Sequence, residues 1–357
     1  MYPKLIVDIE KIKSNAKNVI EKCHSKNVEV AGVTKVMCGM KEIAEAMIES
    51  NCDMIADARI QNIIKMKKEG INHPFLLLRI PMISELKKVV EYVDITLISE
   101  MQTIEKLSEI AKEKQKEQKI IFMIDLGDLR EGEWYTEALD KIGEIINIEN
   151  INLIGIGSNL GCFGGVLPTK EKMQMLSDIK KQIKEKYDYD IKYLSGGSTA
   201  ALPLVENNEL SEGLNHYRLG ESIMCGTDVT NNRTVPGAYQ DAVVLEAEII
   251  EIKEKPSIPE GKIGLDAFGR KPNFEDKGWR KKCILAIGEQ DINPGGLIPF
   301  DKKIQVLHAS SDHTIIDITD CDINYKIGDI LKFKLSYSSL LKSTTSEYVE
   351  KEIINKK

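Results

Sequence analysis

No stretch of this 357-residue sequence approaches the roughly 20 consecutive apolar residues that a membrane span requires, so no transmembrane helix is expected. The opening Met1-Tyr2-Pro3-Lys4-Leu5 has no charged segment leading into an apolar one, and a secretory leader is not expected either. Seven cysteines (Cys23, Cys38, Cys52, Cys162, Cys225, Cys283, Cys321) stand singly, without a Cys-x-x-Cys pair. An odd number in no framework spacing suits free thiols in a reducing compartment, hence a cytoplasmic protein. The five histidines fall in neither His-x-x-x-His nor His-x-Cys spacing, so no metal is expected. Basic clusters are missing too. The net charge is −7, and the lysines alternate with glutamates, as in Lys112-Glu113-Lys114-Gln115-Lys116-Glu117. That is a solvated helix face and not a nucleic-acid footprint. Internal repeats and low-complexity tracts are also absent.

What is present is the balance of a globular chain, 42% hydrophobic and 29% charged, too long for one ordinary core. To about residue 230, short apolar runs alternate with amphipathic stretches. Strands are predicted at Val28–Val33, Met54–Ala56, Phe75–Leu78, Ile95–Ile98, Ile120–Ile124, Leu153–Ile156 and Lys192–Ser195. Helices are predicted at Ile9–Ser25, Lys41–Ser50, Ile60–Gly70, Glu85–Tyr92, Met101–Gln118, Thr136–Ile146 and Lys170–Tyr187. Alternation sustained this long implies a parallel sheet, and the unit count favours a closed (β/α)8 barrel of the TIM type. From about residue 235, β-like runs separated by turn signals (Pro256-Ser257, Pro294-Gly295-Gly296, Gly328-Asp329) predict a C-terminal all-β domain. The expected division is 1–230 and 231–357.

Barrel chemistry sits on the loops that follow the strands, which directs attention to five segments. Lys35 follows the first long strand, where burial and cationic neighbours lower an amine's pKa and suit it to Schiff-base formation. Periodicity alone leaves an ordinary surface lysine open. Ser195-Gly196-Gly197-Ser198-Thr199 follows a late strand, and its glycines and hydroxyls suit a phosphate cradle, although a plain glycine turn reads the same way. Arg218-Leu219-Gly220-Glu221-Ser222 closes the barrel half; its alternative is a surface arginine before a turn. Arg130, in Asp125-Leu126-Gly127-Asp128-Leu129-Arg130-Glu131-Gly132, suits bidentate binding of a carboxylate or phenolate, with Asp125 and Asp128 as its possible structural partners. Asn159, in Gly157-Ser158-Asn159-Leu160-Gly161-Cys162, offers a neutral amide.

In this order the five segments resemble the alanine-racemase superfamily of pyridoxal-phosphate enzymes, a barrel followed by a β-domain. The likeness runs essentially end to end. Asp57-Ala58-Arg59-Ile60-Gln61-Asn62, Leu78-Arg79-Ile80-Pro81-Met82, Leu265-Asp266-Ala267-Phe268-Gly269, Ser310-Ser311-Asp312-His313 and Thr345-Ser346-Glu347-Tyr348 are most similar to its ornithine racemases. The resemblance implies pyridoxal 5'-phosphate as cofactor, a small amino-acid substrate (ornithine before lysine, arginine or alanine) and a homodimer whose β-domain completes the active site. Lys35 would carry the cofactor as an imine and be one of two proton-transfer bases. Gly197, Ser198, Glu221 and Ser222, with Thr199 beside them, would hold the phosphate, largely through backbone amides. Arg218 would meet the pyridine nitrogen; a guanidinium does not readily give up its proton, so the nitrogen stays unprotonated and the electron sink is weak. Arg130 would bind the phenolic oxygen and the substrate carboxylate.

The sequence departs from the alanine-racemase pattern at three places. Gly39 stands where those enzymes have a phosphate-touching tyrosine, and Asn159 where they have a histidine near the ring. Phe268 stands at the tyrosine that serves as opposite-face base, and it cannot move a proton. The replacement is sought in the second domain, with His313 and Tyr348 as candidates and Glu289 and Asp291 as acidic alternatives. Glu289, Asp291 and Asp312 could instead pair with a cationic substrate side chain. Three rivals are weighed: a non-catalytic cofactor carrier, which shares the barrel but generally lacks the extra domain; a decarboxylase of basic amino acids on the same architecture, which needs a Cys-centred acidic motif; and a metal-assisted D-amino-acid dehydratase or aldolase, which the absent ligand spacing disfavours.

Overall fold

The structure is a computed structural model and describes residues 1–355. Contacts divide the chain into two units, Ile9–Tyr239 and a second made of Met1–Asp8 with the chain from Gln240 onward. The division therefore falls nine residues beyond 230, and the first eight residues leave the barrel half. Val7-Asp8 ends a strand, β1 (Lys4–Asp8), which pairs within the second unit before the first helix begins at Ile9.

Ile9–Tyr239 is built on a closed parallel barrel. Its strands are β2 (Glu29–Val33), β3 (Met54–Asp57), β4 (Phe75–Leu77), β5 (Ile95–Ile98), β6 (Gln118–Asp125), then, after the short β7 (Glu133–Trp134) on the edge of β6, β8 (Ile151–Gly157), β9 (Tyr193–Ser195) and β10 (His216–Leu219). Sequential pairing runs from β2 to β6 and on through β8, β9 and β10, and β10 pairs with β2 to close the ring. Parallel pairing follows from the helices that connect successive strands. The helix Ile9–His24 buries Ile9, Ile12, Ala16, Val19, Ile20 and Cys23, the three- and four-residue spacing of one helical face.

Alternate strand residues point inward. Ala31, Val33, Met54, Ala56, Leu76, Ile95, Leu97, Ile121, Met123 and Tyr193 accordingly form one buried cluster. The eighth strand is missing from the predicted set because His216-Tyr217-Arg218-Leu219 carries a histidine and an arginine among only four residues. Helix boundaries shift by a few residues. The helix predicted to reach Gln118 ends at Glu113, and Gln118 opens β6.

In the second unit the strands β13 (Val243–Pro256), β14 (Trp279–Leu285), β15 (Leu297–Pro299), β16 (Gln305–Ala309), β17 (Thr314–Asp317) and β18 (Ile330–Leu335) pair antiparallel in the order β15-β18-β13-β14-β17-β16. The two-stranded ribbon β11 (Thr227–Asp228) and β12 (Arg233–Thr234) precedes them in the barrel unit. β1 pairs antiparallel with β13 and parallel with β19 (Glu350–Ile354). The all-β expectation holds for the sheet but omits a helix, Tyr337–Thr345, capped by the Ser336 hydroxyl. Among the described residues no helix is long and apolar enough to cross a membrane, and all seven cysteines are free.

Gly155 on β8 is packed closely against Tyr193 on β9. A Cβ there would lie 2.6 Å from the Tyr193 carbonyl oxygen on β9, and backbone cannot yield as a flexible side chain can. Gly155→Ala is expected to destabilise the protein by about 1–3 kcal/mol, read from the urea midpoint. Gly264→Ala, where the added carbon meets nothing within 4 Å, is the neutral control.

Candidate active site

Lys35 opens a single 3-10 turn, Lys35–Met37, directly beyond β2. Burial lowers its pKa, aided by the charge of Arg130 and opposed by Cys162, Asp57 and Glu131. The turn is held by Asp57, whose buried carboxylate accepts from Thr34 Oγ1 (2.8 Å), Arg59 N (2.8 Å) and Asn62 Nδ2 (3.0 Å). Gly39 closes it at φ +60°, and a Cβ at that position would come within 2.7 Å of Asn62 Cβ. The local chain conformation thus excludes a tyrosine at this place.

Arg130 pairs with its neighbour Glu131, donating through Nε and Nη2 to the two carboxylate oxygens. In the amide orientation that satisfies both groups, Asn159 Oδ1 accepts from Arg130 Nη2 (2.6 Å) and Nη1 (3.3 Å). Neither Asp125 nor Asp128 serves as Arg130's hydrogen-bonding partner. Asp125 Oδ1 takes the amides of Gly127 (2.7 Å) and Leu129 (3.3 Å). Asp128, buried, takes four amides from the next loop, those of Gly161, Cys162, Phe163 and Val166 at 2.8–3.2 Å. The loops after β6 and β8 are thereby fixed to each other, with Arg130 and Asn159 across the join.

Arg218 lies on β10 with its guanidinium buried in the barrel. Nη2 donates to the Ser158 carbonyl (2.7 Å), and Nη1 to the Ser195 hydroxyl and carbonyl. All three acceptors are neutral. Burial pushes its pKa down to about 10, with Glu131 opposing and Arg130 reinforcing the shift, so the group remains charged near neutral pH. Ser195 Oγ is also 2.7 Å from His216 Nδ1. Lys35 and Arg218 both feel Arg130, Glu131 and Cys162, which gathers these five side chains at the C-terminal end of the barrel.

Beyond β9 the chain turns at Gly196 and at Gly197 (φ +126°), then enters the short helical run Thr199–Ala201. A Cβ on Gly196 would collide with Leu214, whereas one on Gly197 would project into the open cradle, meeting only Ala201 at 3.6 Å. Thr199 Oγ1 receives the Ser222 amide and donates to Ser222 Oγ, both at 3.2 Å, which ties the β9 and β10 loops together. Glu221 turns its carboxylate away, accepting from Thr227 Oγ1 (2.7 Å) and Val229 N (2.9 Å). Its side chain is therefore a clamp on the following segment, and its amide is what remains for the cradle. First-turn amides such as those of Thr199 and Glu221 have no acceptor within their own helix.

The remaining candidates lie in the second unit. A Cβ on Gly288 would overlap the backbone of Ser310–Asp312, and Glu289 N and Gln290 N donate to the carbonyls of Ser310 and Ser311. This close approach sets the backbone at Glu289 against Ser310 and Ser311, directly before Asp312 and His313 in the chain. Glu289 accepts from Arg270 Nη2 (2.6 Å); the same arginine bonds Asp266 and lies 4.8 Å over the Phe268 ring. Asp291 is buried and accepts from Ser346 Oγ (2.6 Å). Asp312 is exposed and its Oδ1 is 2.9 Å from Nδ1 of the partly exposed His313; Tyr348 is exposed.

Comparison with known proteins decides the lineage. Residues 7–228 match the alanine racemase N-terminal domain. The chain belongs to the alanine-racemase family. Over 98% of both chains it is 46% identical to lysine racemase of Thermotoga maritima. It is 42% identical to ornithine racemase of Acetoanaerobium sticklandii, over 99% of this chain and 100% of that one. Among solved structures, an alanine racemase of Clostridium difficile 630 shares the fold at a TM-score of 0.72 and 18% identity, covering 99% of this chain and 96% of that one. Against that family frame, the residues that sequence reasoning missed are Glu131, Ser195 as an arginine partner, and His216, while Asp128, named as a possible partner of Arg130, instead clamps the loop after β8. Glu131 was legible as a charge beside Arg130. The others act across loops or strands and left no local signal.

His216 makes a measurable prediction. It is fully buried, and burial, then the charges of Arg218 and Lys192, push its pKa down to about 3 from 6.5. A depressed pKa means that the unfolded chain binds the proton first. Stability is complete above about pH 6.5 and falls as pH drops towards 3. Between pH 7.5 and 5 this one group should remove about 2 kcal/mol. Urea midpoints at the two values check it, with the loss reduced in His216→Asn.

Proposed function

We propose that the chain is a cytoplasmic, pyridoxal 5'-phosphate-dependent amino-acid racemase that interconverts L- and D-ornithine, with lysine as the alternative substrate. The observation that carries the reading is a desolvated lysine beyond β2 sharing a barrel end with a buried arginine bonded only to neutral acceptors. The donor set fits the cofactor. The glycine turn at Gly196-Gly197 with Ser198, Thr199 and the amides of Glu221 and Ser222 suits a phosphate ester, and Arg218 suits a neutral ring nitrogen. Bound there, the group supplies an electron sink that acidifies the α-hydrogen of an amino acid joined to it.

The residues have separable tasks. Lys35 Nζ holds the aldehyde in the resting protein and, as a neutral amine, moves the α-proton on one face. Arg130, aimed by Glu131 and Asn159, binds the phenolic oxygen and the substrate carboxylate. On the opposite face the β unit of a second copy supplies the proton. His313 is favoured over Tyr348, because a carboxylate orients its imidazole and leaves Nε2 open. Of Glu289, Asp291 and Asp312, only Asp312 has an exposed carboxylate, which favours it for a distal ammonium. A homodimer is supported by exposed Met82, Ile83, Leu129, Phe163 and Leu167 on the loops at the barrel's C-terminal end.

Chiral chromatography with L-ornithine, L-lysine and L-alanine tests the reaction; conversion of alanine alone would overturn the substrate assignment. The holoenzyme should absorb at about 420 nm, as an imine of this aldehyde does, and Lys35→Ala should lose the band. His313→Asn should lower racemisation by about 10²–10⁴-fold while solvent deuterium still enters the α-position of one enantiomer. Full activity in His313→Asn, with loss in Tyr348→Phe, would transfer the role to the tyrosine.

A further inference from the structure

Arg218, Ser195 and His216 form a short relay inside the barrel. His216 and Arg218 are two apart on β10 and so share its inward face, and His216 is in register with Ser195 on β9. A guanidinium can only donate, so Ser195 Oγ accepts from Arg218 Nη1. The serine's own hydrogen then goes to His216 Nδ1, 2.7 Å away, which places the imidazole hydrogen on Nε2. The Tyr193 ring, centred 5.2 Å from the imidazole and inclined at 55°, packs against it.

Two features of this arrangement are uneconomical for a purely structural role. His216 is fully buried, and its Nε2 has no partner. Leaving a buried polar group unpaired is unfavourable, and an apolar side chain would fill the volume without that loss. Nor is the arginine neutralised. A carboxylate at either position would stabilise a buried cation, as Glu131 does for Arg130, yet both positions carry neutral groups. A neutral imidazole can orient the serine hydroxyl without quenching the charge in front of it.

We infer that His216, acting through Ser195, is a positioning residue that aims the Arg218 guanidinium at the ring nitrogen of the cofactor while leaving its positive charge intact. The inference rests on the cofactor reading above and adds to it the pair that sets the arginine's direction. Because the hydrogen-bonded link from His216 to Arg218 runs through the Ser195 hydroxyl, its aiming effect vanishes when that hydroxyl is removed.

The test is a titration of cofactor-stripped full-length protein with pyridoxal 5'-phosphate, followed by the imine absorbance, with melting of the apoprotein in parallel. Ser195→Ala and His216→Phe should each weaken cofactor binding about tenfold, the loss of one charge-assisted bond. The double variant should bind no more weakly than Ser195→Ala alone. His216→Asn, whose amide reaches the Nδ1 position, should recover to within about threefold of wild type, whereas His216→Gln, which reaches the Nε2 position, should not. Multiplying losses in the double variant, wild-type binding by His216→Phe, or equal behaviour of the Asn and Gln variants would each overturn the inference. Should His216→Phe fail to fold, the Asn and Gln comparison still decides. An absent imine band in wild type would instead sink the cofactor reading itself; a normal band with indifferent His216 variants sinks only the relay.

Discussion

A buried guanidinium without a carboxylate is the constraint on which the barrel's chemistry depends. Removing Arg218 from water is unfavourable, and the fold offsets it with neutral acceptors only: the Ser158 carbonyl and the hydroxyl and carbonyl of Ser195. That choice keeps a full positive charge at the end of β10 where a paired arginine would present almost none. Arg130 illustrates the other solution. It is nearer solvent, paired to Glu131 and steadied by Asn159, so it contributes directed hydrogen bonds with a largely cancelled charge. The two arginines thus divide the work between field and geometry. Lys35, desolvated beside them, is kept closer to its neutral, nucleophilic form.

The acidic residues of the barrel end serve mainly as clamps. Asp57 fixes the turn around Lys35, Asp125 the turn after β6, and Asp128 the whole segment Gly161–Val166. Each accepts from two or more donors, mostly backbone amides, which a carboxylate does better than any neutral side chain. Loops held this way keep the reactive groups aimed with little cost in reorganisation. The Glu221 side chain belongs to the same class, accepting from Thr227 Oγ1 and Val229 N.

In the β unit one close backbone contact does comparable work. Gly288 lets the 288–291 loop lie against Ser310–Asp312, and the Arg270 network adds the turn that carries Phe268. Residues drawn from three separate parts of the sequence consequently present themselves on one surface. The aromatic ring at Phe268 has no proton to give; the imidazole that joins the Arg270 network is His308, 3.3 Å from Arg270 Nη2, while His313 is oriented separately by Asp312.

The strand–helix alternation determined the barrel, because each run had to bury a face at its own period. It marked Lys35, Arg130, Asn159 and the glycine turn as candidates by their places after strands, whereas Arg218 lies within a strand. The eighth strand was not legible, since His216 and Arg218 look like surface residues until the closed ring surrounds them. Nor could the sequence say whether Asp128 or Glu131 would meet Arg130, or that Ser195 stands between Arg218 and His216. Periodicity reports which way a side chain faces along one element. Which partner it meets depends on the register between elements distant in the chain, and only the closed sheet supplies that.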